Sequence, residues 1–255
     1  MTQRTFEMSS TGPIVLGLDL PVGSAEVQVS HNVTRARVML RTEDESGPAA
    51  NAILRAREWE DGQTLAVEVP DLPGGTVTQS VRGNHVVQHA GTVSGTVTGM
   101  TIINGQVITG GGMTCTVSPI VARIVLPAGS SLAMVSQSAD LAAYGPLERA
   151  EFRSVSGSCR FDAVREVIAS TTSGDIIAGP VTDSITARSI SGDIETDPYA
   201  GGNADLTTTS GDVRVYAMAA ASGRLRAHTV SGDVRVSGGR HLDLSVRSVS
   251  GRTRT

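Results

Sequence analysis

The chain has 255 residues, a formal net charge of −4 and only 3% aromatic residues. Its 21 basic residues are all arginine and never form a run, which excludes the concentrated basic face that nucleic acid requires. With 39% hydrophobic content and so few rings, the core has to be built in thin layers of Val, Ile, Leu, Ala and Thr, as in stacked β coils, and the 29 glycines supply the turns.

The N-terminus, "MTQRTFEMSSTGPIVLGLDLPVG", lacks a charged n-region followed by an apolar stretch of leader length. No segment approaches ~18 uninterrupted apolar residues, so no transmembrane segment is expected. The expected location is cytoplasmic, with a surface location only if a leader is removed or export is non-classical.

Residues 1–73 read as irregular β coils. "IVLGLDLPVGSAEVQVS" sets Leu16, Leu18, Leu20 and then Val27 and Val29 at alternate positions about a Pro-Val-Gly turn, and "ARVMLRT" and "LAVEVP" continue in strand period. Between them Ser46-Gly47-Pro48 opens a run of helix formers, which predicts one short helix over 48–59 that plugs the open first coil.

Residues 74–117 break the pattern as a Gly/Thr/Val-rich β insertion with almost no charge. Left exposed, such a segment would aggregate, so it is expected to be an arm that packs on something. His85 and His89 stand four apart there. On a helix that spacing converges on one metal, but on a strand it leaves the rings ~13 Å apart, and the surroundings are strand-like. Cys115 and Cys159 lie in differently organised segments and are expected as free thiols.

Residues 118–255 carry a repeat. Aligned on "S-G-D" corners, Gly157, Gly174, Gly192, Gly211, Gly232 and Gly251 are separated by 17, 18, 19, 21 and 19 residues, and "SQSAD" puts Ala139 in the same slot one coil earlier. Before each corner apolar residues alternate, as in Val167/Ala169, Ile185/Ala187 and Leu225/Ala227; after it the alternation resumes, as in Ile176/Ala178 and Val213/Val215. Each repeat is therefore two short strands, too few to bury their apolar face alone, and the repeats must stack as a β-solenoid or a related stack of hairpins.

The corner has a physical reading. Glycine is expected to supply a positive φ, while Ser and Asp bond the turn's own backbone. Ser154, Thr171, Ser189, Thr208, Thr229 and Ser248 put a small hydroxyl two residues before every turn Ser, which predicts a hydroxyl ladder that keeps coils in register. Asp175, Asp193, Asp212 and Asp233 should form a column at ~4.8 Å spacing, where neighbouring charges repel by about 1 kcal/mol in water-like dielectric. A calcium ladder on these four is the weaker alternative, because calcium wants six to eight oxygens in a tight loop and the nonapeptide of calcium β-rolls is absent. No metal or other cofactor is expected.

Two arginine columns, Arg153, Arg188 and Arg247 on one and Arg160, Arg214 and Arg235 on the other, should face solvent. They offer contacts to an acidic partner or are simply solvated. Catalysis finds no support: "GTVSG" lacks the framing of a nucleophile elbow, and the recurrent carboxylates sit at corners.

"LPAGSSLAMVSQSADLAAYG" followed by serial S-G-D-V/I-x-V corners resembles the bacterial putative-adhesin family of β-strand-repeat proteins, a domain of unknown function. The resemblance covers 121–255 and, less strongly, 14–70; the 74–117 insertion lies outside it, and an export signal is missing. It implies an all-β, right-handed solenoid of the single-stranded β-helix type, with no enzymatic activity and no catalytic residues to carry over. The expected function is a non-enzymatic scaffold or protein-interaction module, adhesin-like and linked to envelope or stress response, whose partner is an unidentified protein. Self-assembly, with the chain as its own partner, is one alternative, and carbohydrate binding or processing on a β-helix is another.

Overall fold

In the computed structural model the structure describes residues 1–72 and 118–255 and, between them, the backbone of five strands. In chain order the first segment holds β1 (Thr2–Glu7), β2 (Val15–Asp19), β3 (Ser24–Ser30), β4 (Arg37–Thr42), helix α1 (Pro48–Arg55), β5 (Arg57–Asp61) and β6 (Thr64–Glu68). The insertion contributes β7 (Thr76–Arg82), β8 (His85–Ala90), β9 (Met100–Ile103), β10 (Gln106–Thr109) and β11 (Cys115–Val117). β11, β7 and β8 form one small sheet and β9 and β10 a hairpin. His85 and His89 thus stand on a strand, as the spacing argument required, while their side chains, that of Cys115 and whatever the arm packs on lie outside the described residues.

The remainder is the solenoid: β12 (Val121–Pro127), β13 (Ser131–Val135), β14 (Asp140–Arg153), β15 (Cys159–Ser170), β16 (Ile176–Ala178), β17 (Val181–Arg188), β18 (Ile194–Tyr199), β19 (Asn203–Thr207), β20 (Val213–Ala217), β21 (Arg224–Thr229), β22 (Val234–Ser237), β23 (Asp243–Ser248) and β24 (Thr253–Arg254). These strands build two faces. One runs β5-β6-β2-β13-β14-β15-β17-β19-β21-β23, and the other β1-β4-β12-β3-β14-β15-β16-β18-β20-β22-β24. β14 and β15 are long enough to serve both. The chain is a β-solenoid in which each regular coil gives one strand to each face.

Alternation decides what is buried. Val167, Ala169, Ile185, Ala187, Leu225 and Ala227 from the first face meet Ile176, Ala178, Val213, Val215, Val234 and Val236 from the second in one core. Of the aromatic residues only Phe6, Phe152, Phe161 and Tyr199 enter it. Residues 1–72 share this core, because β2 pairs with β13 and β3 with both β12 and β14.

The helix is shorter than the 48–59 expected from the sequence. It ends at Arg55, Ala56 turns extended (φ −55, ψ 143), and Arg57–Asp61 pairs antiparallel with β6 around Gly62. "REWED" is exposed at every position and has no apolar stripe to bury as a helix, so ladder hydrogen bonds to β6 win. The helix buries Ala49, Ala50, Ala52 and Ile53 and lies against β1 and β4, covering the first strands of the second face.

Candidate functional site

The Ser-Gly-Asp corners stack into one edge of the solenoid, and each of their three residue types has a separate task. The turn glycines are needed for contact distance and not for conformation. None of the six lies at positive φ, contrary to the expectation from the sequence. Instead, a Cβ on Gly174 would stand 2.0 Å from Gly157 O, one on Gly192 1.9 Å from Gly174 O, and one on Gly251 1.8 Å from Gly232 O. Backbones of successive coils touch here, and any side chain would force them apart. One coil earlier, Ala139 is accommodated where the bonding differs: the Asp140 N–H reaches Gly23 O directly at 3.1 Å.

The hydroxyls do not bond one another as a ladder. Ser189 Oγ donates to Gly174 O of the preceding coil at 3.2 Å and accepts the Gly192 N–H of its own corner at 2.9 Å. Thr171 does the same between Gly157 O and the Gly174 N–H. Thr208, Thr229 and Ser248 donate to Gly192 O, Gly211 O and Gly232 O. The hydroxyl is the clamp between coils, buried at Thr171, Ser189, Thr208 and Thr229, and serine or threonine suits it because one hydroxyl can donate and accept at once, as at Thr171, Ser189 and Ser248; Ser154 reaches Gln137 O instead, at 3.4 Å.

The aspartates continue the chain of bonds outside. Asp175 Oδ1 accepts the Asp193 N–H at 2.9 Å, Asp193 Oδ1 the Asp212 N–H at 2.8 Å, Asp212 Oδ1 the Asp233 N–H at 2.8 Å, and Asp233 Oδ1 the Arg252 N–H at 2.8 Å. Asp140 and Ser158 extend the column N-terminally; the sequence reading missed both because their corners lack the full triplet. One oxygen of each carboxylate is thus committed to the next backbone, and the Arg214 guanidinium bridges Asp193 and Asp212 at 3.4 and 2.7 Å. Among the described residues no three His, Cys, Asp or Glu side chains come together as a metal site.

The strand register places Arg153, Arg188 and Arg247 in one outward column, interrupted by Ser170 between the first two and by Thr207 and His228 between the last two. Arg160, Arg214 and Arg235 share another, interrupted by Ile177 and Glu195. All six are exposed. Beside the first column runs a feature not anticipated from the sequence. The residue before each turn Ser is Val155, Thr172, Ile190, Thr209, Val230 or Val249, and Val155, Ile190, Val230 and Val249 are 57%, 52%, 41% and 63% exposed. β-Branched residues at a solvated position in every coil were the available signal.

Neither buried titratable group of the repeats looks reactive. Cys159 is a free thiol inside the core, and burial pushes it well above the ordinary thiol range. Tyr199 is pushed up to about 12, mainly by burial. At the other end of the solenoid the Asp19 carboxyl is raised by burial first and then by the nearby Asp71 and Glu68 charges.

The sequence profile of the Toastrack DUF4097 family matches residues 47–255, which includes every regular coil. The chain belongs to that family. The Toastrack match takes in the 74–117 insertion, which the resemblance read from the sequence had left out. Two solved structures share the fold across the whole chain. One, a "putative adhesin" from Parabacteroides distasonis ATCC 8503, is 10% identical with a TM-score of 0.55, covering 100% of this chain and 97% of that one. The other, a "putative adhesin" from Bacteroides fragilis NCTC 9343, is 12% identical with a TM-score of 0.54 and the same coverage. No curated protein matches. Among the described residues no helix of this Toastrack chain is long and apolar enough to cross a membrane.

Proposed function

We propose that this chain is a non-catalytic, adhesin-like scaffold that holds a protein partner along its Ser-Gly-Asp edge. The observation that carries the reading is the exposed row of Val155, Ile190, Val230 and Val249 beside the Arg153, Arg188 and Arg247 column. Solvated apolar rows on a rigid surface mark contact sites, and arginine is enriched where partners are held. Beneath the row the hydroxyl clamps and carboxylate bonds fix every coil, so the surface is preorganised and a partner need not order it on binding. Likeness in fold to adhesin-named structures supports the same class of role.

The test compares the wild-type chain with a triple variant, Val155→Ser, Ile190→Ser and Val230→Ser, and with Arg153→Glu, Arg188→Glu and Arg247→Glu together. Each is used as bait in lysate of the native host. The reading expects a specific protein held by the wild type and lost from both variants, with circular dichroism unchanged. A partner retained by both would remove the edge from consideration.

A further inference from the structure

On the opposite corner the second face carries a hollow of about 270 Å³ lined by Tyr144, Arg160, Asp162, Ile177, Glu195 and Asp197. Its layout follows from register. Ala143, Phe161, Ala178, Thr196 and Val215 lie side by side, and just past them the register shifts on β14 and β18; there Tyr144, Asp162, Gly179 and Asp197 come together around the hollow, while Tyr216, which follows Val215, stands beyond its lining. Tyr144 and Tyr216 are 42% and 51% exposed and stand four strand spacings apart, about 19 Å. Between them the floor is kept low by Gly179, where a Cβ would come within 2.2 Å of Asp162 O.

Several outward charges of the solenoid pair: Arg149 with Glu151 and Glu166, Arg165 with Glu148 and Asp183, Arg224 with Asp243. Among the described residues Arg160, Asp162, Glu195 and Asp197 form no ion pair, and Asp162 accepts only the Gly145 N–H at 3.3 Å. Donor and acceptor capacity is left open around an apolar floor, beside the Tyr144 ring and in line with Tyr216 further along the axis.

We propose that this trough binds a linear, uncharged oligosaccharide lying along the solenoid axis. A pyranose ring has an apolar C–H face for Tyr144 or Tyr216 and Ile177, and a rim of hydroxyls that donate to Asp162, Glu195 and Asp197 and accept from Arg160. The repeat of the strands sets the step: a sugar chain in extended form advances per unit by a length comparable to one strand spacing, so successive units meet successive coils. Three carboxylates to one guanidinium disfavour a polyanion. The proposal is independent of the Ser-Gly-Asp edge, on which none of these residues lies.

Calorimetric titration of the full chain with β-1,4-linked glucose, β-1,3-linked glucose and β-1,4-linked mannose hexamers tests it, with hexagalacturonate and hexa-arginine as charged comparisons. At least one neutral hexamer should bind at millimolar concentration or below. Tyr144→Ala and Tyr216→Ala should each weaken it by about tenfold, and Asp197→Asn should weaken it too. These side chains are exposed, so the variants keep the fold, which circular dichroism verifies. No neutral hexamer binding, binding of a charged comparison alone, or binding indifferent to all three substitutions overturns the proposal. Binding to the Val155, Ile190 and Val230 triple serine variant should be unchanged, which separates this site from the edge.

Discussion

From Ser154 to Ser250 each coil rests on the coil that precedes it in sequence, whereas the strands before it interleave: β2 lies between β6 and β13, β12 lies between β4 and β3, and β14 rests partly on β3. Both regions share one core and the same in-out alternation. The difference is in wiring. In the regular region stability is close to a sum of nearest-neighbour terms, and in the first region a strand is held by partners up to a hundred or so residues away. One part can lose a unit, and the other cannot.

Excision is the harshest way to break that comparison. Removing 193–211 joins Gly192 to Asp212 and brings Val213 onto Ile176, so the shortened chain should still fold cooperatively, with reduced stability. Removing 13–30 takes β2 and β3 out of both faces and should leave no cooperative unfolding transition. Thermal melts followed by circular dichroism distinguish the two; equal behaviour would contradict the wiring argument.

Within the regular region the clamp comes next. Thr171→Val keeps the shape and strands Gly157 O and the Gly174 N–H without their partner, which should cost about 2 kcal/mol in urea unfolding. Asp193→Ala removes the acceptor of the Asp212 N–H at a half-buried site and should cost about 1 kcal/mol, while Asp193→Asn, which keeps an acceptor oxygen, should cost less.

The smallest effect belongs to the first region and has the opposite sign. The folded-state pKa of Asp19 is raised above its unfolded value, so its charged form opposes folding once the pH has risen through the carboxylate range. Asp19→Asn should therefore stabilise at neutral pH by less than about 0.5 kcal/mol, because the carboxyl is only partly buried and solvent screens it. The gain should vanish as the pH falls below the unfolded carboxylate value. Urea unfolding at neutral and acidic pH reads both.

How much of this was legible from residues alone follows the same division. The coils could be read because their neighbours in space are neighbours in sequence: Gly174, Gly192 and Gly211 fall in one column simply by counting. The interleaving could not, since Leu16, Leu18, Val27 and Val29 alternate identically whatever strand they pair with. The purpose of the glycines was hidden for another reason. A glycine required by positive φ and one required by a carbonyl 2 Å away look the same until coils are stacked. The Asp column was located correctly, but its bonds run to the next coil's backbone, which spacing within one repeat does not reveal. The trough was harder still, because Tyr144, Asp162 and Asp197 come together only through the stacking of three different coils and none belongs to the repeated triplet.

Ser-Gly-Asp is a corner whose glycine lets backbones of adjacent coils touch. Urea unfolding of Gly192→Ala beside Gly202→Ala tests it most directly, because a Cβ on Gly192 meets Gly174 O at 1.9 Å while one on Gly202 meets only Ser222 Oγ at 3.8 Å. Neither residue is at positive φ, so backbone conformation drops out of the comparison. Gly192→Ala should lose about 3 kcal/mol and Gly202→Ala should change by no more than about 0.5 kcal/mol. Equal, small effects at both positions would contradict it.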